Sequence, residues 1–190
     1  MVSPRHAAAR ETAEWPADAT AIDAARSFLH GLTGAAFAVA CDSDADGLAA
    51  AAIVERAAQM LGGVPHILPA RRGEHVHRQS MQARIRTLKP ASLIVVDMGS
   101  RPDPILPDTP TLIVDHHHAS RGVPPGAVVV NGFDRPPVAP SSVLAYVICR
   151  TVPGVENTGW LRSIAVGECR PRSPPMSRSS ASRRVPRCTR

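Results

Sequence analysis

Apolar residues along this chain fall into two kinds of pattern. Short, largely apolar runs bounded by Gly, Pro or acidic residues predict buried strands at residues 35–41, 64–70, 91–97, 110–115 and 127–131. Longer stretches with apolar residues at helical spacing predict helices at residues 21–32, 46–61, 73–88 and 140–150. Strands without polar alternation are typical of a parallel sheet buried on both faces. The sequence therefore predicts an α/β fold, with a mainly parallel sheet covered by helices on both faces.

Three of the predicted strands end in acidic residues, in the sequences AVACDSDAD, LIVVDMG and LIVDHHH. The carboxyl ends of parallel strands meet at one edge of the sheet, which is where ligands bind in such folds. Asp also caps helices and forms turns, so a purely structural role is the alternative. Three acidic strand ends favour a binding site formed by Asp42, Asp44, Asp46, Asp97, Asp115 and the histidines 116–118.

Crowded carboxylates repel one another unless a cation lies among them. Mixed Asp and His ligands suit Mn²⁺, with Mg²⁺ as the alternative ion. Two ions about 3.5 to 4 Å apart can activate a water molecule for phosphoryl transfer. No G-x-S-x-G, Walker A or G-x-G-x-x-G sequence is present. The sequence therefore favours metal-dependent phosphoester hydrolysis over nucleophilic Ser or Cys chemistry.

Three motifs in order carry a resemblance to a known family: DSDADG at 42–47, VVDMG around Asp97, and DHH at 115–117. They resemble the DHH phosphoesterases, most closely the RecJ-type branch. The following segment, VVNGFDRPPVAPSSVLAYVI, is also similar, so the match covers residues 35–150. The resemblance implies a DHH phosphoesterase-like parallel α/β domain, manganese dependence, and phosphodiester or phosphomonoester substrates.

The resemblance also implies roles for individual residues. Asp97 takes the place of the bridging metal ligand, and Asp115 is expected to orient a histidine through its ring N–H. Arg101, just after the second motif, is a candidate phosphate contact, whereas His118 lies outside the motif. The expected metal ligands are Asp42, Asp44, Asp46, Asp97 and His116; the expected catalytic residues are Asp97, His116 and His117, and Asp42 and His117 are also expected near the phosphate.

The chain departs from the family after residue 150. Glu168 stands where the fourth motif has Asp, and the family's C-terminal substrate domain is not expected in this chain. Of residues 169–190, 16 of 22 are Arg, Ser or Pro, a composition that cannot bury a core. The predicted organisation is a flexible N-terminus (1–20), a catalytic domain incomplete at its C-terminal end (21–168), and a disordered basic tail (169–190).

The net charge of +6 depends on that tail, which holds seven arginines and no acid. The other 168 residues carry 15 basic and 16 acidic residues, so charge alone does not indicate nucleic-acid binding. No apolar run reaches the roughly 18 residues of a membrane span. The four cysteines form no C-x-x-C pair, so the expected location is the reducing cytoplasm.

The leading hypothesis is a metal-dependent hydrolase of phosphoesters in nucleotides or short nucleic acids. The alternatives are a catalytically impaired metal- or nucleotide-binding relative that lacks the fourth motif, and a nucleic-acid binder that uses its basic tail. The oligomeric state is left open. His75 and His77 are expected to be solvent-exposed on the helix at 73–88, where residues two apart do not share a face and cannot bind one metal.

Overall fold

The structure, a computed structural model, describes residues 15–99, 101–119 and 121–155. Its centre is a five-stranded, all-parallel sheet in the order β2-β1-β3-β4-β5. The strands are β1 (Ala36–Cys41), β2 (Val64–Pro69), β3 (Leu93–Val96), β4 (Thr111–Asp115) and β5 (Val128–Asn131). The helices of the described residues are α1 (Ala19–His30), α2 (Ala45–Met60), α3 (Gln79–Thr87) and α4 (Ser141–Cys149). The predicted α/β fold is confirmed.

Both faces of the sheet are buried, and this explains the continuous apolar strands. Successive residues of a strand point to opposite faces. Ile94 and Val96 of β3 pack in one cluster with α1, α2 and α4, whereas Leu93 and Val95 pack in a second cluster with α3. All four side chains are fully buried. A strand covered on both sides needs an apolar residue at every position.

Helix α3 is shorter than the predicted helix at 73–88, because the segment before Gln79 forms turns. Gly73 has a φ of +76°, which does not occur within a right-handed α-helix. The N–H of Arg78 donates to the carbonyl of His75 at 2.8 Å, which closes a turn before the helix. His75 and His77 therefore lie in this turn, not on a helix. They are half-buried, with ring centroids 5.4 Å apart, so the expectation that they are solvent-exposed was wrong.

The carboxyl ends of β1, β3 and β4 lie side by side. Cys41 is in register with Val96, and Val96 with Val114. The chain leaves β1 for β2 on one side, while β3 lies on the other, so β1 and β3 flank a topological switch point. The acidic residues that follow these strands consequently meet at the position where α/β folds bind ligands. Within the described residues, no helix is long and apolar enough to cross a membrane.

Candidate metal centre

The loop after β1 is held in shape by a helix cap and by a close backbone approach. Asp44 caps α2, and its Oδ1 accepts a hydrogen bond from the N–H of Gly47 at 2.9 Å. A Cβ at residue 47 would lie 2.6 Å from the carbonyl oxygen of Asp42, a distance that no side chain could tolerate. Glycine at 47 therefore lets the first turn of α2 approach the backbone of Asp42 closely.

Asp46, in the first turn of α2, joins that helix to α4. Its Oδ2 accepts from the N–H of Ser141 and its Oδ1 from the N–H of Ser142, each at 2.8 Å. The first N–H groups of a helix have no partner within the helix and favour a negative charge. The start of α4 thus fixes the orientation of the Asp46 carboxylate.

Asp97 follows β3 and is the buried acid of the site, with 2% of its surface exposed. Its Oδ1 accepts a hydrogen bond from Ser141 Oγ at 2.9 Å, and its φ is +60°, a strained left-handed conformation for a residue other than glycine. Burial, followed by the charge of Asp46, raises the pKa of Asp97 to about 7, although Ser141 opposes the shift. A carboxylate held in this state is poised to exchange its proton for a cation.

Two histidines after β4 complete a cluster with Asp97. His116 Nε2 lies 3.3 Å from Asp97 Oδ1 and 3.9 Å from Asp46 Oδ2. His117 Nδ1 lies 3.8 Å from Asp97 Oδ1. One possible ligand atom from each of Asp97, His116 and His117 falls within 4.8 Å of the other two. Asp97 follows β3 and the two histidines follow β4, so the fold brings the carboxylate and the imidazoles together.

Asp115, the last residue of β4, is fully buried and contacts His117. Its Oδ1 lies 2.7 Å from His117 Nδ1. Burial alone would lower the pKa of His117, but the hydrogen bond and charge of Asp115, with Asp97 and Asp42, raise it above its ordinary value. The side-chain amide of Asn131 donates to the carbonyl of His117 at 2.9 Å. The orientation of His117 is therefore set from both its ring and its backbone.

A cavity of about 510 Å³ opens beside this cluster. Asp42 and Arg101, both sequence candidates, line it together with Asp97 and His117. His118 also lines it and packs its ring 4.7 Å from Phe133. Asp44 is close enough for its charge to raise the pKa of Asp97. Glu168, the candidate for the fourth motif, lies outside the described residues, as does the basic tail.

Several residues that shape the site were not singled out by the sequence. Ser141 donates hydrogen bonds to Asp97 and Asp46, and Ser142 donates to Asp46. The sequence shows a pair of serines at the start of a helix, but it does not show which carboxylates they bind. His75 and Arg121 line the cavity because turns bring them there, and no spacing rule indicates it.

The donor set suits a divalent cation. A buried carboxylate with a raised pKa faces two imidazoles and a second carboxylate, and mixed oxygen and nitrogen ligands are typical of Mn²⁺ and related ions. The hydrogen bonds to Asp46 occupy one lone pair on each oxygen, and each oxygen keeps another for a metal. Cys41 is not a competing nucleophile, because burial and then the nearby carboxylates raise the pKa of its thiol to about 12.

Comparison with known proteins agrees with this geometry at the level of fold. No family model and no curated protein matches the chain. Among solved structures, exonuclease RecJ bound to manganese matches with a TM-score of 0.58 and 21% identity over 76% of this chain. The chain has a RecJ-like fold. RecJ from Thermus thermophilus in complex with Mn²⁺ matches with a TM-score of 0.56 and 21% identity over 73% of the chain. CDC45 from Entamoeba histolytica matches with a TM-score of 0.55 and 13% identity over 77%.

These matches confirm the fold expected from the three motifs. The chain spans only 39% and 21% of the two RecJ chains, and 32% of CDC45. The likeness is therefore one between this chain and a part of each of those proteins.

Proposed function

We propose that this chain is a metal-dependent phosphoesterase that hydrolyses phosphoester bonds of nucleotides or short nucleic acids. The observation that carries the proposal is the cluster of Asp97, His116 and His117, with Asp46 beside it, at the carboxyl edge of a RecJ-like sheet. The proposed cofactor is Mn²⁺, as two ions, with Mg²⁺ as the alternative. The residues proposed to hold the metal are Asp42, Asp44, Asp46, Asp97 and His116.

The bound metal would act as a Lewis acid on the phosphoester and lower the pKa of water. The chain's own side chains position the substrate. Because His117 Nδ1 is occupied by Asp115, its Nε2 is the atom left to meet a phosphate oxygen. Its raised pKa favours the protonated ring, which would stabilise negative charge on that phosphate. Arg101, on the cavity wall, is the second proposed phosphate contact.

The alternative proposal is a catalytically impaired metal- or nucleotide-binding protein. It is favoured by Glu168, which replaces the aspartate expected in the fourth motif and has a longer side chain. A weakened second ion would leave the chain able to bind metal yet slow in turnover, because water activation needs both ions at fixed separation.

Two measurements separate these functions. Calorimetry should show Mn²⁺ binding by the full chain, and hydrolysis of bis(p-nitrophenyl) phosphate should then be followed with and without Mn²⁺. Turnover that requires Mn²⁺ and disappears in His116→Ala supports the enzyme. Binding of Mn²⁺ without turnover supports the alternative, and a chain that binds no Mn²⁺ contradicts both. Asp23→Asn, an exposed carboxylate on α1, is the matched control.

A further inference from the structure

The residues that line the cavity beside the metal centre fall into two chemically different sets. One, here called the acidic wall, consists of Asp42, Asp97 and His117. The other, here called the basic wall, consists of His75, Arg101, His118 and Arg121. Gly99 also lines the cavity and lies near both sets: a Cβ there would lie 3.8 Å from His75 Nε2 and 3.9 Å from His117 Cβ. The walls are therefore close enough for one small ligand to touch both.

The guanidinium groups of the basic wall have no acidic partner among the described residues. Arg26, Arg84 and Arg135 form ion pairs, but neither Arg101 nor Arg121 has a described carboxylate within 4.0 Å. Both side chains belong to exposed residues that follow β3 and β4. A guanidinium in this situation offers several N–H donors in the planar arrangement that suits a phosphoryl group.

The charge on the basic wall comes from its arginines. Burial, followed by the charge of Arg101, lowers the pKa of His75. His75 is therefore a neutral hydrogen-bonding group at pH 7, whereas Arg101, which also lines the cavity, keeps its positive charge. An anion in the cavity therefore meets two guanidinium groups as well as the carboxylates among the lining residues.

We infer that Arg101 and Arg121 bind a second phosphoryl group of the substrate while the first lies at the metal centre. This inference rests on the proposed function and narrows it to substrates that carry at least two phosphoryl groups. A single phosphate at the metal would leave at least the guanidinium of Arg121 without a ligand, and the cavity is in the size range that holds a ligand larger than phosphate. The second group could be part of a phosphoanhydride or the next phosphate of an oligonucleotide.

The test measures binding of compounds that cannot be hydrolysed to the Mn²⁺-loaded full chain by calorimetry. The probes are methylphosphonate, methylenediphosphonate and propane-1,3-diphosphonate. At least one diphosphonate should bind about tenfold or more tightly than methylphosphonate, because charge-assisted hydrogen bonds of this kind supply such a factor. Preference for methylenediphosphonate would indicate adjacent phosphates, and preference for the propane compound would indicate the spacing of successive nucleotides.

Arg121→Gln should remove most of that preference and leave methylphosphonate and Mn²⁺ binding unchanged within about twofold. Arg101→Gln should also remove most of the preference. Arg86→Gln, on an exposed residue of α3 outside the cavity, is the charge-matched control and should keep the preference. Equal affinity for all three probes would overturn the inference, as would an equal loss in Arg86→Gln. If the chain does not bind Mn²⁺, the proposed function itself is contradicted. If it binds Mn²⁺ but shows no preference for a diphosphonate, only this inference is contradicted.

Discussion

The acidic and basic walls of the cavity are built in different ways. On the acidic side, Asp97 is buried and accepts a hydrogen bond from the hydroxyl of Ser141. The neighbouring Asp46 accepts hydrogen bonds from the backbone N–H groups of Ser141 and Ser142. On the basic side, Arg101 and Arg121 are exposed residues without a described ion-pair partner. Metal binding should thus depend on the packed core, and anion binding on surface loops that tolerate change.

The acidic wall also destabilises the folded chain when no cation is bound. Asp97 combines burial, a left-handed backbone and two acidic neighbours, each unfavourable by itself. Such a combination persists where the surrounding structure holds it, here through β3 and the first turn of α4. The basic wall carries no comparable strain, so the two walls should respond very differently to substitution.

The largest expected effect is that of Asp97→Asn on metal binding. Asparagine keeps the shape and tolerates a positive φ, but it removes the charge. We expect Mn²⁺ affinity to fall by more than about 100-fold, since losing even a hydrogen-bonding partner of a ligand typically costs 10- to 100-fold. Calorimetry on this variant and on Asp23→Asn makes the comparison. If Asp97→Asn bound Mn²⁺ as tightly as Asp23→Asn, the proposed centre would be wrong.

The next effect is the pH dependence of stability without metal. The pKa of Asp97 rises from 3.8 to about 7 on folding, so between these values the folded chain binds one more proton than the unfolded chain. Stability must therefore fall as pH rises, by roughly 2 kcal/mol between pH 5 and pH 7 from this group. Urea unfolding with a chelator present measures it.

The raised pKa of His117 acts in the same direction, so a variant is needed to isolate Asp97. Asp97→Asn should unfold with a flatter pH profile and be more stable than the parent at pH 7. Saturating Mn²⁺ should raise the parent's stability more at pH 7.5 than at pH 5.5, because protons compete with the metal. Parallel pH profiles for the parent and Asp97→Asn would contradict the assignment.

A smaller effect is expected from Ser141→Ala. The variant removes the hydroxyl that donates to Asp97 Oδ1 but keeps the N–H that donates to Asp46. Mn²⁺ affinity should drop about tenfold, as for other groups that orient a ligand. Ser27→Ala, whose hydroxyl donates to a backbone carbonyl of α1, is the control. A lower melting temperature with unchanged Mn²⁺ affinity would show that Ser141 only supports the fold.

The difference between the acidic and basic walls also explains which residues of the site could be placed from the sequence. The acidic residues directly follow strands, and parallel strand ends must meet at one edge, so Asp42, Asp97 and Asp115 could be placed together from periodicity alone. The hydroxyl of Ser141 and the side chain of Arg121 could not be placed, because they reach the site through tertiary packing and loop conformation. The helix predicted at 73–88 was too long for the same reason: residues 73–78 form turns, with a positive φ at Gly73 and with Val76 packed in the cluster of Leu93 and Val95.

The smallest expected effect concerns the stability of the basic wall. Arg101→Gln with Arg121→Gln should change the free energy of unfolding by less than about 0.5 kcal/mol, because neither residue is buried or ion-paired within the described structure. Arg84→Gln is the matched comparison: its guanidinium donates to Glu74 and to the carbonyl of Pro69 in a part-buried position, so we expect a loss of about 1 to 2 kcal/mol. Urea unfolding at pH 7 with Mn²⁺ present measures both. If the double variant lost as much stability as Arg84→Gln, the arginines of the basic wall would have to pack against the domain, and they would not be free to bind an anion.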